Sequence, residues 1–106
     1  MDFTEKLQEI QTDIDANSVI LYMKGNKDFP MCGFSAQVVN ILNAVGASYE
    51  TRNVLEDPVL RQAIKEYASW PTIPQLYIEG KFVGGCDIVT ELFNDGELTE
   101  MLPAAS

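Results

Sequence analysis

The residues with the most chemistry in this 106-residue chain lie in one stretch, Lys24-Gly-Asn-Lys-Asp-Phe-Pro-Met-Cys32-Gly-Phe-Ser35. An apolar run that reads as a strand, Val19-Ile-Leu-Tyr-Met23, leads into it. A helical pattern with Val38, Ile41, Leu42 and Val45 on one face follows. A cysteine where a loop turns into a helix meets unpaired N–H groups and the positive end of the helix dipole, which favour thiolate over thiol. Cys32 is therefore the candidate working residue. The blander reading, a small buried hydrophobe, fits poorly with a position just after Pro30 and at a helix start. Ser35 stands where a redox Cys-x-x-Cys motif carries its second thiol. A hydroxyl there removes the partner for a fast internal disulfide, so ordinary dithiol chemistry is not expected. Lys24 closes the strand that points at Cys32. It is either an ordinary surface lysine or a cation that stabilises the thiolate or holds a carboxylate. The chain has no histidine, which excludes His-based acid–base catalysis, Cys–His nucleophile pairs and His-ligated metal sites.

Two later motifs carry possibilities of their own. Thr72-Ile73-Pro74 reads as a rigid turn before a strand. Gly84-Gly85 is either the flexible end of a hairpin or, with Cys86-Asp87 at a helix start, a set of bare N–H groups open to an anion. Asp87 is then an N-cap, a ligand for an ammonium group, or both. Trp70 reads as a packing residue, and Arg61 by itself as a solvated helix charge.

The set Lys24-Gly25, Pro30, Cys32-Gly33-Phe34-Ser35, Trp70-Pro71-Thr72-Ile73-Pro74 and Gly84-Gly85-Cys86-Asp87 resembles the monothiol glutaredoxins of the CGFS class, in family order over nearly the whole chain. The resemblance implies the thioredoxin fold, four central strands with helices on both faces. It also implies that Pro74 is cis. Such a bond would turn the Ile73 amide and carbonyl toward the thiol, where they can pair with an extended peptide as an added strand does. Glutathione contacts are implied at Lys24, Arg61, Ile73, Cys86 and Asp87. The chemistry is consistent with that tripeptide. Lys24 and Arg61 suit its terminal carboxylate, the Ile73 backbone its centre, the Gly85–Asp87 backbone its other carboxylate, and Asp87 its ammonium. Cys86 has three readings: buried packing, a glutathione contact through its backbone, or a thiol that resolves Cys32 under oxidation.

Two functions follow from this set. The first is an iron–sulfur carrier. A [2Fe-2S] cluster needs four ligands, usually thiolates, and this chain offers one well-placed cysteine, Cys32. Two chains and two glutathiones complete the count, which predicts a cluster-bridged homodimer. The resemblance adds delivery to apo iron–sulfur recipient proteins and mixed dimers with BolA-type proteins. The second is a glutathione-dependent oxidoreductase that reduces protein–glutathione mixed disulfides through Cys32 alone. Against it stands the eight-residue connection 24–31, which by resemblance accompanies weak oxidoreductase activity. The carrier ranks first.

The elements that must position these residues are legible from periodicity. Phe3, Leu7, Ile10 and Ile14 suggest an N-terminal helix, capped by Asp2 or Thr4. Strand 19–23 is apolar throughout, as for an inner strand covered on both faces. A helix at about 34–45 ends near Gly46, a C-cap, and a weaker strand covers 48–54. Asp57-Pro58 starts a helix bearing Leu60, Ile64 and Tyr67, which Trp70-Pro71 breaks. Strands 75–79 and 81–84 flank Glu79-Gly80, a hairpin signal. A helix with Ile88, Val89, Leu92 and Phe93, a last short helix and a frayed tail from Pro103 complete the chain.

The order helix–strand–helix–strand–helix, hairpin, helix is an α/β sandwich with a small mixed sheet, read as one domain over 1–106. Seven basic against sixteen acidic residues give a net charge of −9, which argues against nucleic acid or anionic membrane as partner. Two cysteines without any disulfide framework suit a reducing compartment. The absence of a long apolar span or a signal-like N-terminus reads as cytoplasmic.

Overall fold

The strand β1 (Val19–Met23) is buried along its whole length because both faces of the sheet are covered, the situation that an unbroken apolar run requires. A computed structural model describes residues 2–103. The sheet has the order β2-β1-β3-β4, with β2 (Glu50–Asn53), β3 (Gln75–Ile78) and β4 (Lys81–Gly84). β1 runs parallel to β2 and antiparallel to β3, and β3 is antiparallel to β4. Alternation along β1 splits the core in two. Val19, Leu21 and Met23 meet Val38, Val39, Ile41, Leu42 and Val89 on one face. Ile20 and Tyr22 meet Ile10, Ile14, Leu60, Ala63 and Ile64 on the other. The first group comes from α2 (Gly33–Ala44) and α4 (Cys86–Asn94), the second from α1 (Phe3–Ala16) and α3 (Pro58–Ala68). A short α5 (Glu97–Met101) adds Leu98 to the first face. The expected mixed sheet with helices on both faces is the observed architecture.

The local signals account for most boundaries. Asp2 caps α1 by accepting from the Glu5 N–H at 2.8 Å. Asp57 caps α3 by accepting from Leu60 N–H at 3.0 Å, with Pro58 in the first turn. The other Asp57 oxygen takes the Lys6 ammonium at 2.6 Å, so one carboxylate caps a helix and ties α1 to α3. That ion pair and its hydrogen bond raise the Lys6 pKa and lower that of Asp57. Glu79 and Gly80 both have positive φ, 52° and 79°, as a two-residue hairpin turn with the strand twist demands.

Three expectations change. The strand expected over 48–54 is only Glu50–Asn53: Val54 leaves the ladder, although its N–H still reaches Met23 O. α3 ends at Ala68, before Trp70, with Ser69 in the left-handed region at φ 51°. Asp87 is not the N-cap of α4. That place belongs to Gly85, and Asp87 lies in the first turn with no side-chain cap bond made. The Gly84-Gly85 backbone turns early enough to place the cap two residues before the aspartate. Of the tail expected from Pro103 on, Pro103 is exposed and in no regular element, and 104–106 lie outside the described residues.

Candidate functional site

Cys32 is the N-cap residue of α2, extended at φ −153° and ψ 136°, and its carbonyl accepts from Ala36 N–H at 2.8 Å. The sulfur makes no cap hydrogen bond of ordinary length. The N–H groups of Ser35 and then Phe34 nevertheless face it and hold the thiol pKa below its usual value, against the opposing effect of burial. The Lys24 ammonium and the Ser35 hydroxyl act in the same direction. Both arms of the expected thiolate stabilisation, helix terminus and lysine, are thus present.

The connection from β1 to Cys32 folds back on itself. Gly25 and Pro30 form an antiparallel bridge, Asn26 and Phe29 exchange backbone hydrogen bonds at 3.1 and 3.3 Å, and Met31 N–H donates to Lys24 O at 2.9 Å. Asn53 Oδ1 accepts from Gly25 N–H at 2.9 Å, anchoring the loop base to β2. This closure brings Lys24 beside Cys32 although seven residues separate them. Ser35 contributes as well. Its fully buried hydroxyl oxygen accepts from Lys24 N–H at 3.2 Å, so the residue in the second-thiol position welds the end of β1 to the first turn of α2.

A cleft of about 420 Å³ opens at this end of the sheet, a size typical of small-ligand sites. Every site residue expected from sequence lines it: Lys24, Cys32, Arg61, Ile73, Cys86 and Asp87. α3 supplies Arg61, and the Ile73–Pro74 bond is cis. Ile73 precedes the first ladder residue of β3, leaving its backbone polar groups at the cleft. Gly85 abuts this turn so closely that a Cβ there would lie 3.2 Å from Pro74 O and 3.6 Å from Trp70 Nε1. The uncapped N-terminus of α4 therefore faces the cleft beside Ile73. Cys86 is half-buried and packed against the core, in keeping with its packing reading. Among the described residues, no three His, Cys, Asp or Glu side chains gather where they could hold a metal ion. No helix among them is long and apolar enough to cross a membrane.

The Glutaredoxin family profile matches residues 19–83. This chain belongs to the glutaredoxin family. It is 56% identical to an uncharacterized monothiol glutaredoxin of Synechocystis, over 87% of this chain and 86% of that one. Among solved structures, reduced poplar apo GrxS14 superposes with a TM-score of 0.81 at 51% identity, covering 94% of this chain and 93% of the other. A buckwheat glutaredoxin in complex with glutathione superposes with a TM-score of 0.84 at 28% identity, covering 94% of this chain and 89% of that one. These likenesses confirm the thioredoxin-type sheet and its flanking helices in this glutaredoxin.

The sequence sets Lys65 on the same face of α3 as Arg61 without giving it a site role, and Lys65 lines the same cleft. The i, i+4 spacing was the available signal. Lys24, Arg61 and Lys65 bring three of the seven basic residues of a chain of net charge −9 to this cleft.

The thiol environment carries a prediction. The pH midpoint of Cys32 ionisation, followed by thiolate absorbance, lies below that of the same chain unfolded in urea. Lys24→Met raises the midpoint but leaves it below the unfolded value, because the leading contribution comes from the Ser35 backbone. For a thiol lowered in the folded state, the linked stability is present above the unfolded pKa and is lost as pH falls through the folded pKa. A folded midpoint equal to the unfolded one would remove the electrostatic account of the site.

Proposed function

We propose that this glutaredoxin is of the CGFS class and is a glutathione-dependent carrier of [2Fe-2S] clusters. The observation that carries the reading is one cysteine, Cys32, shifted toward thiolate at a helix start beside a tripeptide-sized cleft. As cargo, a [2Fe-2S] cluster takes four ligands. Two Cys32 thiolates from two chains and the thiols of two glutathiones satisfy that number. Lys24 and Arg61 serve the glycyl carboxylate, the Ile73 backbone the central amides, and the N–H groups at Gly85–Asp87 the γ-glutamyl carboxylate, with the Asp87 side chain on its ammonium. The cluster-bridged homodimer, exchange with a BolA-type protein and delivery to apo recipient proteins in the cytoplasm complete the proposal. Ser35 supports it, since a hydroxyl cannot form the internal disulfide that would compete with the cluster.

The lowered thiol pKa supports a second activity from the same residues. Cys32 thiolate attacks the glutathione sulfur of a protein–glutathione disulfide and releases the protein thiolate. A second glutathione thiolate then attacks the bound glutathione sulfur, giving oxidised glutathione and free Cys32 thiolate.

Anaerobic reconstitution with ferrous iron and sulfide, with and without glutathione, separates the two. Colour and dimer elution only with glutathione is the expected result. A colourless monomer that turns over a glutathione mixed disulfide would leave the oxidoreductase alone standing. Cys86→Ser is expected to keep its cluster absorbance within about twofold, since the backbone at that position is the expected contact and the half-buried Cys86 side chain packs as a small hydrophobe. Loss of the cluster in that variant would overturn the ligand count.

A further inference from the structure

The cleft wall that carries Ile73 is held by a residue with no contact to any proposed ligand. Gln75 heads the strand Gln75-Leu76-Tyr77-Ile78, and its carboxamide is fully buried. Its Nε2 donates to Trp70 O at 3.1 Å and to Thr72 O at 3.2 Å, and its Oε1 accepts from the Tyr77 hydroxyl at 3.0 Å. Both carbonyls can only accept and the hydroxyl donates, so the orientation of the carboxamide is determined and both its N–H groups are used. These two carbonyls lie in the first part of the turn 70–74, which has no regular secondary structure to define it, and the Thr72 carbonyl belongs to the peptide group that carries the Ile73 N–H. The Tyr77 ring, packed edge-on to Tyr22 at 5.8 Å and tilted against Phe82 at 5.4 Å, fixes the other end of the chain of bonds.

We propose that Gln75 is a positioning residue that, by clamping the Trp70 and Thr72 carbonyls, sets the Ile73 backbone at the spacing an extended glutathione requires. A buried carboxamide is costly to leave half-satisfied and strongly orienting when fully satisfied. No other side chain bonds to the backbone of this turn among the described residues. The inference rests on the proposed use of glutathione and deepens it by naming what makes the site selective for it.

The test compares Cys32 reactivity toward three reagents in the intact chain. Oxidised glutathione uses the cleft: Cys32 thiolate attacks one of its sulfurs, a mixed disulfide forms, and glutathione thiolate leaves and takes up a proton at neutral pH. Hydroxyethyl disulfide undergoes the same exchange without the peptide. Iodoacetamide alkylation reads the thiolate alone. Wild type is expected to prefer oxidised glutathione over hydroxyethyl disulfide. Gln75→Met, which removes both donors, and Gln75→Glu, which sets a carboxylate against both carbonyls, should each reduce that preference about tenfold, the size expected for losing one to two net hydrogen bonds. Alkylation rates should stay within about twofold of wild type if the thiolate itself is untouched. If Gln75→Met loses its thermal transition, Gln75→Glu and the milder Tyr77→Phe carry the comparison. An undiminished preference in folded variants overturns the positioning role and leaves the glutathione reading intact. Parallel loss of all three rates assigns Gln75 to general stability and also overturns it. Absence of any preference in wild type overturns the glutathione reading itself, and that outcome is read without any variant.

Discussion

Cys32→Ser is expected to abolish both cluster assembly and exchange with glutathione disulfides while leaving the thermal transition close to that of wild type. Cys32 is the cleft thiol that the start of α2 and Lys24 shift toward thiolate, and it is also the only protein ligand proposed for the cluster. The serine hydroxyl keeps the N-cap position, where serine is well suited, so α2 should start at the same residue. With no histidine in the chain and the neighbouring Lys24 present as an ammonium at neutral pH, the replacement hydroxyl remains un-ionised. Exchange with oxidised glutathione should fall by on the order of a thousandfold or more, to the reagent background. Mass spectrometry of the glutathione adduct and absorbance after reconstitution read the two losses. An adduct formed on Cys86 in this variant would give the second cysteine a chemical role that its packing against the core does not indicate.

Gly25→Ala is expected to have the next largest effect, although Gly25 touches no ligand. Gly25 has φ +89°, and a Cβ there would lie 2.7 Å from Met31 N and collide with the Phe29 carbonyl. Both neighbours are backbone, so neither can swing aside as a flexible side chain would. Relief requires opening the loop, which breaks the Met31-to-Lys24 hydrogen bond and the Asn26–Phe29 pair. Overpacking together with the left-handed backbone should destabilise the chain by about 2–4 kcal/mol in urea unfolding. The opened loop should also move Lys24 away from the sulfur and raise the ionisation midpoint of Cys32, since that ammonium favours the anion. A variant with wild-type stability and an unchanged midpoint would show that the loop closure does not hold Lys24 in place.

The parts of this molecule that were readable in sequence are those governed by short-range physics. β1 was visible because a strand covered on both faces must be apolar at every position. Asp57-Pro58 announced a helix start because a carboxylate cap and a fixed proline φ act within one turn. Cys32 at a loop–helix junction signalled a stabilised thiolate for the same local reason. The positions of Lys24, Arg61, Ile73, Cys86 and Asp87 around one cleft could be expected only through the family motifs, since spacing alone does not say which loops meet.

Tertiary structure decided the rest. Ser35 looked like a missing thiol and is also the buried acceptor joining β1 to α2, a contact across eleven residues. Lys65 joins the cleft only because α3 docks with that face inward. Asp87 yielded the cap to Gly85 because the approach to Pro74 sets where α4 begins. Gln75 reads in sequence as an ordinary first residue of a strand, and only the folded turn supplies two carbonyls for its amide. Local sequence determines which elements form and where a thiol becomes reactive, because propensity, capping and dipoles act over a few residues. Packing determines which distant backbone groups must be satisfied together, and that requirement shaped the walls of this cleft.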